Sequence, residues 1–338
     1  MKWPRALCGA VIAVTLGLGP VGTAGAAPRI EPAPGMSTAS ASAADDAATL
    51  AYWTPERMAA VLAADQGADG AAADEGAAAD EGAEGASGSG EGKRGVAVEA
   101  AARFAADRSV SRASVDRTVG RVFYVNPATQ LPGVCSASAV NSPSRMMVIT
   151  SAHCAAVGGS RMNGEKPQWF NANWVYVPGY NGSDAAAYGR FTWKNGRVFN
   201  NWLDNERAAE WDVAMITVNP NADGKRIVDA TGANGLIVNQ RDEVTVTAVG
   251  YPVNLDQGEY QVSCTGTLER LILYPSLLEL PCRLLGHGAS GGPWLWTDPQ
   301  TGITKINGVT RSHDGIEIDT PYFDEGVWSM YLEQGSVT

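Results

Sequence analysis

Short apolar runs, separated by clusters of glycine, proline, asparagine and aspartate, recur from about residue 118 to the end of the chain. Several of them alternate apolar and polar residues, as a strand with one buried face does. The runs cover residues 121–125, 146–150, 213–218, 244–249, 260–264, 271–273, 294–296, 304–308 and 326–331. Strands this short and this closely spaced predict an all-β sandwich or barrel, and about 220 residues suit one such domain or two packed barrels.

The N-terminal third of the chain has a different composition. Residues 1–26 have a basic start, an apolar run over 6–18 and a small-residue end, which is typical of a secretory signal peptide. Residues 27–116 contain the acidic repeat GAAADE twice in succession, and such a sequence buries too little apolar area to offset its ordering entropy. We therefore expect a disordered, low-complexity acidic pro-segment or spacer there, followed by a folded domain over residues 117–338.

The acidic segment carries three local signals. Short helices are predicted at Pro55–Asp65 and over residues 96–106. Lys93-Arg94 is a candidate processing site, with an uncleaved linker as the alternative.

Charge and hydropathy exclude two classes of partner. The formal net charge is −11 and the basic residues form no stripe, which excludes a nucleic-acid interface. After the leader, no apolar run reaches the roughly 18 residues that a membrane-spanning helix needs. We expect a secreted, extracellular protein that is soluble and monomeric.

The cysteines indicate a disulfide framework. Cys8 lies in the leader, and the other four are Cys135, Cys154, Cys264 and Cys282. An even number of cysteines in an exported chain suggests two disulfides, for which three pairings are open. The local pairing Cys135–Cys154 and Cys264–Cys282 is the simplest, and buried free thiols are the alternative.

A glycine-rich stretch, GHGASGGP at residues 286–293, places one hydroxyl among four glycines just before an apolar strand. Glycines allow positive φ angles and a close approach of the backbone to a ligand. They would present the Ser290 hydroxyl and leave the N–H groups of Gly288 and Ser290 free to bind a developing oxyanion. A plain turn between two strands is the alternative.

Two further residues have suitable chemistry for partners of Ser290. The chain has 3 histidines, and His153 stands at the end of an apolar strand beside a cysteine. Asp212 precedes another apolar strand, and a buried aspartate that accepts from a histidine ring N–H fixes its tautomer. Taken singly, each is more typical of a structural residue. Zinc is disfavoured because the chain lacks HExxH and closely spaced cysteine ligands.

In combination the motifs resemble those of the trypsin/chymotrypsin-like serine proteases. AHC at 152–154, WDVA at 211–214 and GASGGP at 288–293 occur in the order His, Asp, Ser. The runs CSASAV at 135–140 and VGYP at 249–252 are also similar to that family. PGYNG at 178–182 resembles the bacterial secreted branch that contains the V8-type glutamyl endopeptidases. The resemblance covers about residues 118–333.

The resemblance implies a fold, a reaction and a set of roles. The fold would be two packed six-stranded antiparallel β-barrels with the site between them. Ser290 would be the nucleophile, His153 the general base and Asp212 its orienter, in a secreted endopeptidase that cleaves polypeptide substrates without a metal or other cofactor. A catalytically silent binding module and a serine esterase are the alternatives, although the esterase motif G-x-S-x-G belongs with the chain order Ser, Asp, His.

Two departures from the family pattern concern activation and specificity. Ala289 replaces an aspartate that, in the digestive relatives, pairs with a new N-terminal amine near Val119. We therefore expect a pro-segment, if inhibitory, to cover the cleft or hold the N-terminus away, with activity insensitive to that end. Leu284 stands where a trypsin-like pocket has an aspartate, which disfavours cleavage after Lys or Arg.

The substrate pocket is expected to be formed by Leu284, Leu285, Thr310 and Arg311, with a slight preference for an apolar or small side chain before the scissile bond. Arg311 or His313 could instead recognise an acidic side chain. His287 is expected at the surface or on the leaving-group side of the cleft.

Overall fold

The computed structural model describes residues 35–65, 116–126, 129–156, 158, 172–182, 186–205 and 208–338. The strands in these ranges are β1 (Met36–Ser40), β2 (Val119–Val125), β3 (Pro132–Val140), β4 (Met147–Thr150), β5 (Ala172–Pro178), β6 (Phe191–Phe199), β7 (Ala214–Val218), β8 (Gly235–Leu236), β9 (Thr245–Gly250), β10 (Val262–Thr267), β11 (Glu269–Arg270), β12 (Leu277–Pro281), β13 (Pro293–Thr297), β14 (Thr304–Val309), β15 (Ser312–His313) and β16 (Glu317–Pro321). The α-helices are α1 (Ala43–Tyr52), α2 (Pro55–Asp65), α3 (Asn200–Asp204), α4 (Ile227–Thr231) and α5 (Glu325–Gly335).

The first half of the domain is a closed barrel. Its strands follow the order β6-β5-β2-β3-β4-β7, and pairing of β6 with β7 closes the circle. The inward faces of these strands bury a core that includes Val122, Tyr176, Phe191 and Ile216. Closure leaves few unpaired strand edges and a rigid rim on which site residues can be held.

The second half contains a five-stranded sheet, β10-β9-β13-β14-β8, and a four-stranded sheet, β11-β12-β16-β15. Both contribute to one core around Val246, Leu280, Trp294 and Ile318. The prediction of an all-β architecture is confirmed, with the second half divided between two sheets around that core.

Residues 35–65 form an ordered N-terminal strap, contrary to our expectation of disorder. In this strap, β1 pairs antiparallel with β6, from Met36 opposite Phe199 to Ser40 opposite Asn195. Ser42 and Asp45 form a capping box that begins α1. The predicted helix Pro55–Asp65 is confirmed as α2.

Two predicted strands are wrong. Residues 326–331 belong to α5, because Asp324 caps the N-terminus and the spacing of Val327 and Met330 buries one helical face. Residues 271–273 form the exposed tip between β11 and β12, where Ile272 is 95% and Leu273 84% exposed.

Several predictions fall outside the described residues, namely the signal peptide, the helix over residues 96–106 and the processing site at Lys93-Arg94. In the part of the chain that the structure describes, no helix combines the length and the apolar character needed to cross a membrane.

Candidate functional site

The register of β4 and β7 brings His153 and Asp212 together. Thr150 at the end of β4 lies opposite Ala214 at the start of β7. His153 follows on a single 3₁₀ turn, and Asp212 directly follows another short 3₁₀ helix. Residues that are distant in sequence therefore meet at one end of the barrel.

Both carboxylate oxygens of Asp212 accept hydrogen bonds from His153. The backbone N–H donates to Oδ1 at 2.9 Å, and ring atom Nδ1 lies 2.7 Å from Oδ2. In the neutral imidazole, the tautomer with its proton on Nδ1 donates to this carboxylate and leaves the Nε2 lone pair free to accept a proton. The Asp212 side chain is 2% exposed and the His153 side chain 30%, so the carboxylate is buried while the imidazole reaches the surface.

Ser290 lies on a loop that is held by its backbone. The Ser136 N–H donates to the Ser290 carbonyl at 2.7 Å, and the Ser136 hydroxyl donates to the Gly288 carbonyl at 2.9 Å. The Gly291 N–H donates to the Thr310 carbonyl at 2.7 Å. These bonds fix the loop against β3 and leave the half-buried Ser290 side chain at the surface.

The glycines in this loop are required by space as well as by conformation. Gly288 has φ +83° and Gly291 has φ +78°. A Cβ on Gly291 would lie 2.0 Å from Thr150 Oγ1 and 2.3 Å from the Ser136 carbonyl oxygen. Only a glycine allows this approach to β3 and β4.

Two backbone donors in the loop are uncommitted. Among the described residues, the N–H groups of Gly288 and Ser290 donate to no protein acceptor. Their neighbours Ala289, Gly291 and Gly292 all donate to backbone carbonyls. The loop thus contains two N–H groups that are able to bind an anionic oxygen.

The Ser290 loop and the His153 turn are also in contact. Cys154 Sγ lies 3.7 Å from the Ser290 carbonyl oxygen, and Cys154 is bonded to Cys135 on β3. The Ser151 hydroxyl donates to the Thr310 carbonyl at 2.8 Å. Both predicted disulfides are present, the second joining Cys264 to Cys282.

One grouping has side chains at metal-ligand distances within the described ranges. The ligand atoms of Cys135, His153 and Cys154 lie within 4.8 Å of one another. Because the two cysteines share a disulfide, the grouping offers one imidazole and no thiolate.

The four predicted pocket residues divide into two pairs. Leu285 is 1% exposed and Thr310 2%, and the Thr310 hydroxyl accepts from the Trp294 indole at 3.0 Å, so both face the core. Leu284 is half-buried at the surface of that core. Arg311 is also half-buried, and its Nε donates to Asp319 Oδ1 at 2.8 Å.

The remaining residues around Ser290 have clear positions. Ala289 is fully buried, and a Cβ added to Gly250 would lie 2.9 Å from the Cβ of Ala289. His287 and His313 are both exposed. The Ala289 position therefore carries no charge and lies within packed backbone.

Arg121 is a functional candidate that sequence reasoning missed. It is fully buried on β2, and its guanidinium donates to the Tyr251 carbonyl and, at 3.1 Å, to the Gly258 carbonyl. A Cβ on Gly288 would lie 3.2 Å from Arg121 Nη2. The signal was available, because alternation along β2 places Arg121 on the same buried face as Val119 and Phe123.

Solved structures share this fold. A thermostable serine protease, AL20, from an extremophilic microorganism matches with a TM-score of 0.58 and 24% identity, over 66% of this chain and 99% of that one. The protease Anisep from Arthrobacter nicotinovorans matches with a TM-score of 0.56 and 26% identity, over 65% of this chain and 96% of that one.

A Glu endopeptidase in complex with MPD matches with a TM-score of 0.50 and 16% identity, over 68% of this chain and 95% of that one. No protein-family model and no curated protein sequence matches the chain. The fold is therefore that of the trypsin-like serine proteases, as the sequence motifs predicted.

Proposed function

From its trypsin-like serine protease fold, we propose that this chain is a serine endopeptidase with Ser290 as nucleophile, His153 as general base and Asp212 as orienter. The observation that carries the proposal is the His153–Asp212 pair, joined by two hydrogen bonds, next to a loop with two N–H groups that have no protein acceptor among the described residues. A silent binding module would have no need for a buried carboxylate that holds an accessible imidazole in one tautomer.

Acylation begins when Ser290 Oγ attacks the scissile carbonyl carbon and His153 Nε2 takes the hydroxyl proton. The carbonyl oxygen becomes an oxyanion, and the N–H groups of Gly288 and Ser290 bind it. Each such donor typically contributes about 10²–10³ in rate. Asp212 stabilises the imidazolium that forms. Collapse of the intermediate breaks the C–N bond, and the imidazolium protonates the departing amine.

Deacylation repeats the sequence with water. His153 Nε2 accepts a proton from water, the oxygen of which attacks the acyl carbon. When the second tetrahedral intermediate collapses, the proton returns to Ser290 Oγ, and the carboxylic acid product leaves. The site ends in its starting protonation state.

The same proposal covers export and substrate class. Two disulfides suit an oxidising compartment, and the composition of residues 1–26 is typical of a signal peptide. Substrates would be polypeptides with an apolar or small residue before the scissile bond, because Leu284 offers no negative charge to a lysine or arginine.

The test is to label the purified chain with a fluorophosphonate and map the adduct by peptide mass spectrometry. We expect the adduct on Ser290 and none on the folded Ser290→Ala variant. Hydrolysis of a peptide library and of simple esters is then compared. A folded protein without an adduct on Ser290, or one that hydrolyses esters but no peptide, would contradict the proposal.

A further inference from the structure

The N-terminal strap is part of the folded domain. On one edge of β6, strand β5 pairs only as far as Thr192 of β6. Strand β1 pairs with Asn195 to Phe199 of β6 on the same edge, beyond the point where β5 ends. The backbone N–H of Ala41 also donates to the Lys194 carbonyl at 2.9 Å. The strap thus completes a sheet edge of the first barrel.

Trp53 anchors the strap. Its side chain is fully buried, its indole N–H donates to the Asn173 carbonyl, and its ring lies 5.3 Å from Phe123. The Arg190 guanidinium donates to the carbonyl of Trp53 and, at 3.2 Å, to that of Leu50. Met58 and Leu62 of α2 belong to the same buried cluster. Such burial typically stabilises an element more than a surface contact does.

The cluster continues from Trp53 toward the Ser290 loop. The Phe123 ring lies 5.6 Å from Tyr180, and Tyr180 lies 6.3 Å from Tyr251. The Arg121 guanidinium lies 5.9 Å from both the Phe123 and the Tyr251 rings. Aromatic rings and the guanidinium are therefore in continuous contact behind the loop.

The end of this path is the backbone around Gly288. A Cβ on Gly288 would lie 2.8 Å from the Tyr251 carbonyl oxygen. The Val253 N–H donates to the His287 carbonyl at 2.8 Å. The segment that carries Tyr251 and Val253 therefore supports the residues whose N–H groups would bind the oxyanion.

We propose that the strap is a resident positioning element of this loop, which keeps the loop in its active geometry and remains bound to the barrel even when the chain that connects them is cut. The proposal rests on the proposed function of Ser290. Ala289 provides no charge that could fix the loop by an ion pair, so packing from Trp53 through Phe123 and Tyr251 takes that part. Trp53 is a positioning residue and touches no substrate.

The first test cuts the chain between strap and domain. A recognition sequence for a specific protease is inserted within residues 66–115, with Ser290→Ala present to prevent self-digestion. After cleavage, we expect the N-terminal fragment to co-elute with the domain in size-exclusion chromatography. A fragment that elutes alone, from a domain that stays folded, overturns the proposal. This readout needs no activity, so it is independent of the proposed function.

The second test separates positioning from stability. We expect Trp53→Ala to lower kcat by roughly 10²-fold and the fluorophosphonate labelling rate in parallel, with KM changed by less than about threefold, since displacement of an oxyanion donor acts on the transition state. Trp53→Phe, which retains a ring against Phe123, should recover most of kcat. Trp328→Ala is the matched control, because Trp328 stacks on Tyr331 of α5, outside this cluster.

If Trp53→Ala does not fold, Met58→Ala takes its place, with a smaller fall in kcat expected. Unchanged kcat in a folded Trp53→Ala or Met58→Ala variant would overturn the proposal. Labelling of the unmodified chain on Ser290 establishes the proposed function separately, so the two proposals fail by different results.

Discussion

The two halves of the candidate site are fixed in different ways. His153 is held by its neighbour's side chain, because both oxygens of Asp212 accept from it. The Ser290 loop is held through its backbone. The Ser290 carbonyl accepts a hydrogen bond from the Ser136 N–H, and the glycines of the loop pack so closely that a side chain would not fit. The geometry of His153 therefore depends on the two oxygens of the Asp212 side chain, whereas the geometry of the Ser290 loop depends on glycines that have no Cβ.

The difference determines what each half tolerates. A side chain that accepts two hydrogen bonds can be replaced by one of equal size that accepts only one, and the fold survives. A glycine packed against backbone cannot take even a methyl group unless the backbone moves. We therefore expect function to fail without structure in the His153 half, and both to fail together in the Ser290 half.

The largest effect should come from Asp212→Asn. Two N–H donors of His153 point at the two oxygens of Asp212, and an amide can accept only one of them. The imidazole then adopts the wrong tautomer, and kcat should fall by about 10⁴-fold. Steady-state peptide hydrolysis measures the loss, and thermal unfolding serves as the control. A loss of kcat smaller than about tenfold would show that Asp212 does not have the role proposed for it.

Gly291→Ala should damage the other half. Its Cβ would lie 2.0 Å from Thr150 Oγ1, so β3, β4 and the loop would have to separate. We expect a loss of roughly 3 kcal/mol in the free energy of unfolding, together with at least about 10²-fold in kcat.

Gly224→Ala is the matched control for that change. Gly224 has φ +73°, close to the +78° of Gly291, but no atom lies within 4 Å of its added Cβ. It should lose about 1 kcal/mol and no activity, because only backbone strain is added. Equal losses in urea unfolding for the two variants would show that φ, and not packing, requires Gly291.

Removal of the disulfides compares the halves directly. Cys135–Cys154 spans 19 residues and Cys264–Cys282 spans 18, so the chain-entropy model predicts about 3 kcal/mol for each. Only the first bears on His153. The double variant Cys135→Ala/Cys154→Ala should therefore also have a lower kcat. The double variant Cys264→Ala/Cys282→Ala should keep the kcat of the unmodified chain. Denaturant unfolding and peptide hydrolysis measure the two effects, and equal kcat values would contradict this prediction.

The smallest effect concerns pH. Burial, followed by the nearby Glu317, Glu269 and Asp314 carboxylates, raises the pKa of Glu279 to about 7 from its ordinary 4.5. Between these values the folded state binds more protons than the unfolded state, so this group lowers stability as pH rises from about 4.5 to about 7.

Glu279→Gln should remove that loss. The increase in the free energy of unfolding should be absent near pH 4 and reach on the order of 1 kcal/mol above pH 7, after a discount for solvent screening. Urea unfolding across that pH range measures it. Glu243→Gln, at an exposed glutamate of the same half, is the control. A gain from Glu279→Gln that does not change with pH would exclude the titration.

The sequence predicted the parts that depend on local pattern. Alternating strands, the two disulfides and the His, Asp and Ser motifs all have short signatures, and the structure contains the strands, the disulfides and the His153–Asp212 contact. The strand prediction for residues 326–331 is wrong because so short an apolar run does not by itself distinguish a strand from a helix, and the cap at Asp324 decides for a helix.

The sequence predicted helix α2 of the strap, but it did not predict that the strap is ordered against the barrel, and the reason is different. Its composition is rich in alanine and short polar residues, and its order depends on Trp53 filling a space between Phe123 and the Asn173 backbone. Contacts between residues 70 or more positions apart leave no local pattern. Arg121 is similar, since its partners at Tyr251 and Gly258 come from the other half.

The pairing of β1 with β6 also bears on how the protein behaves in solution. A chain that began at Asp116 would leave unpaired those backbone groups of residues 195–199 that bond to β1, and it would also uncover the apolar surface that Trp53 buries. Open strand edges next to apolar surface are sites at which molecules join edge to edge. Shortened versions of this protein should therefore self-associate and precipitate during expression, while the full chain stays dispersed.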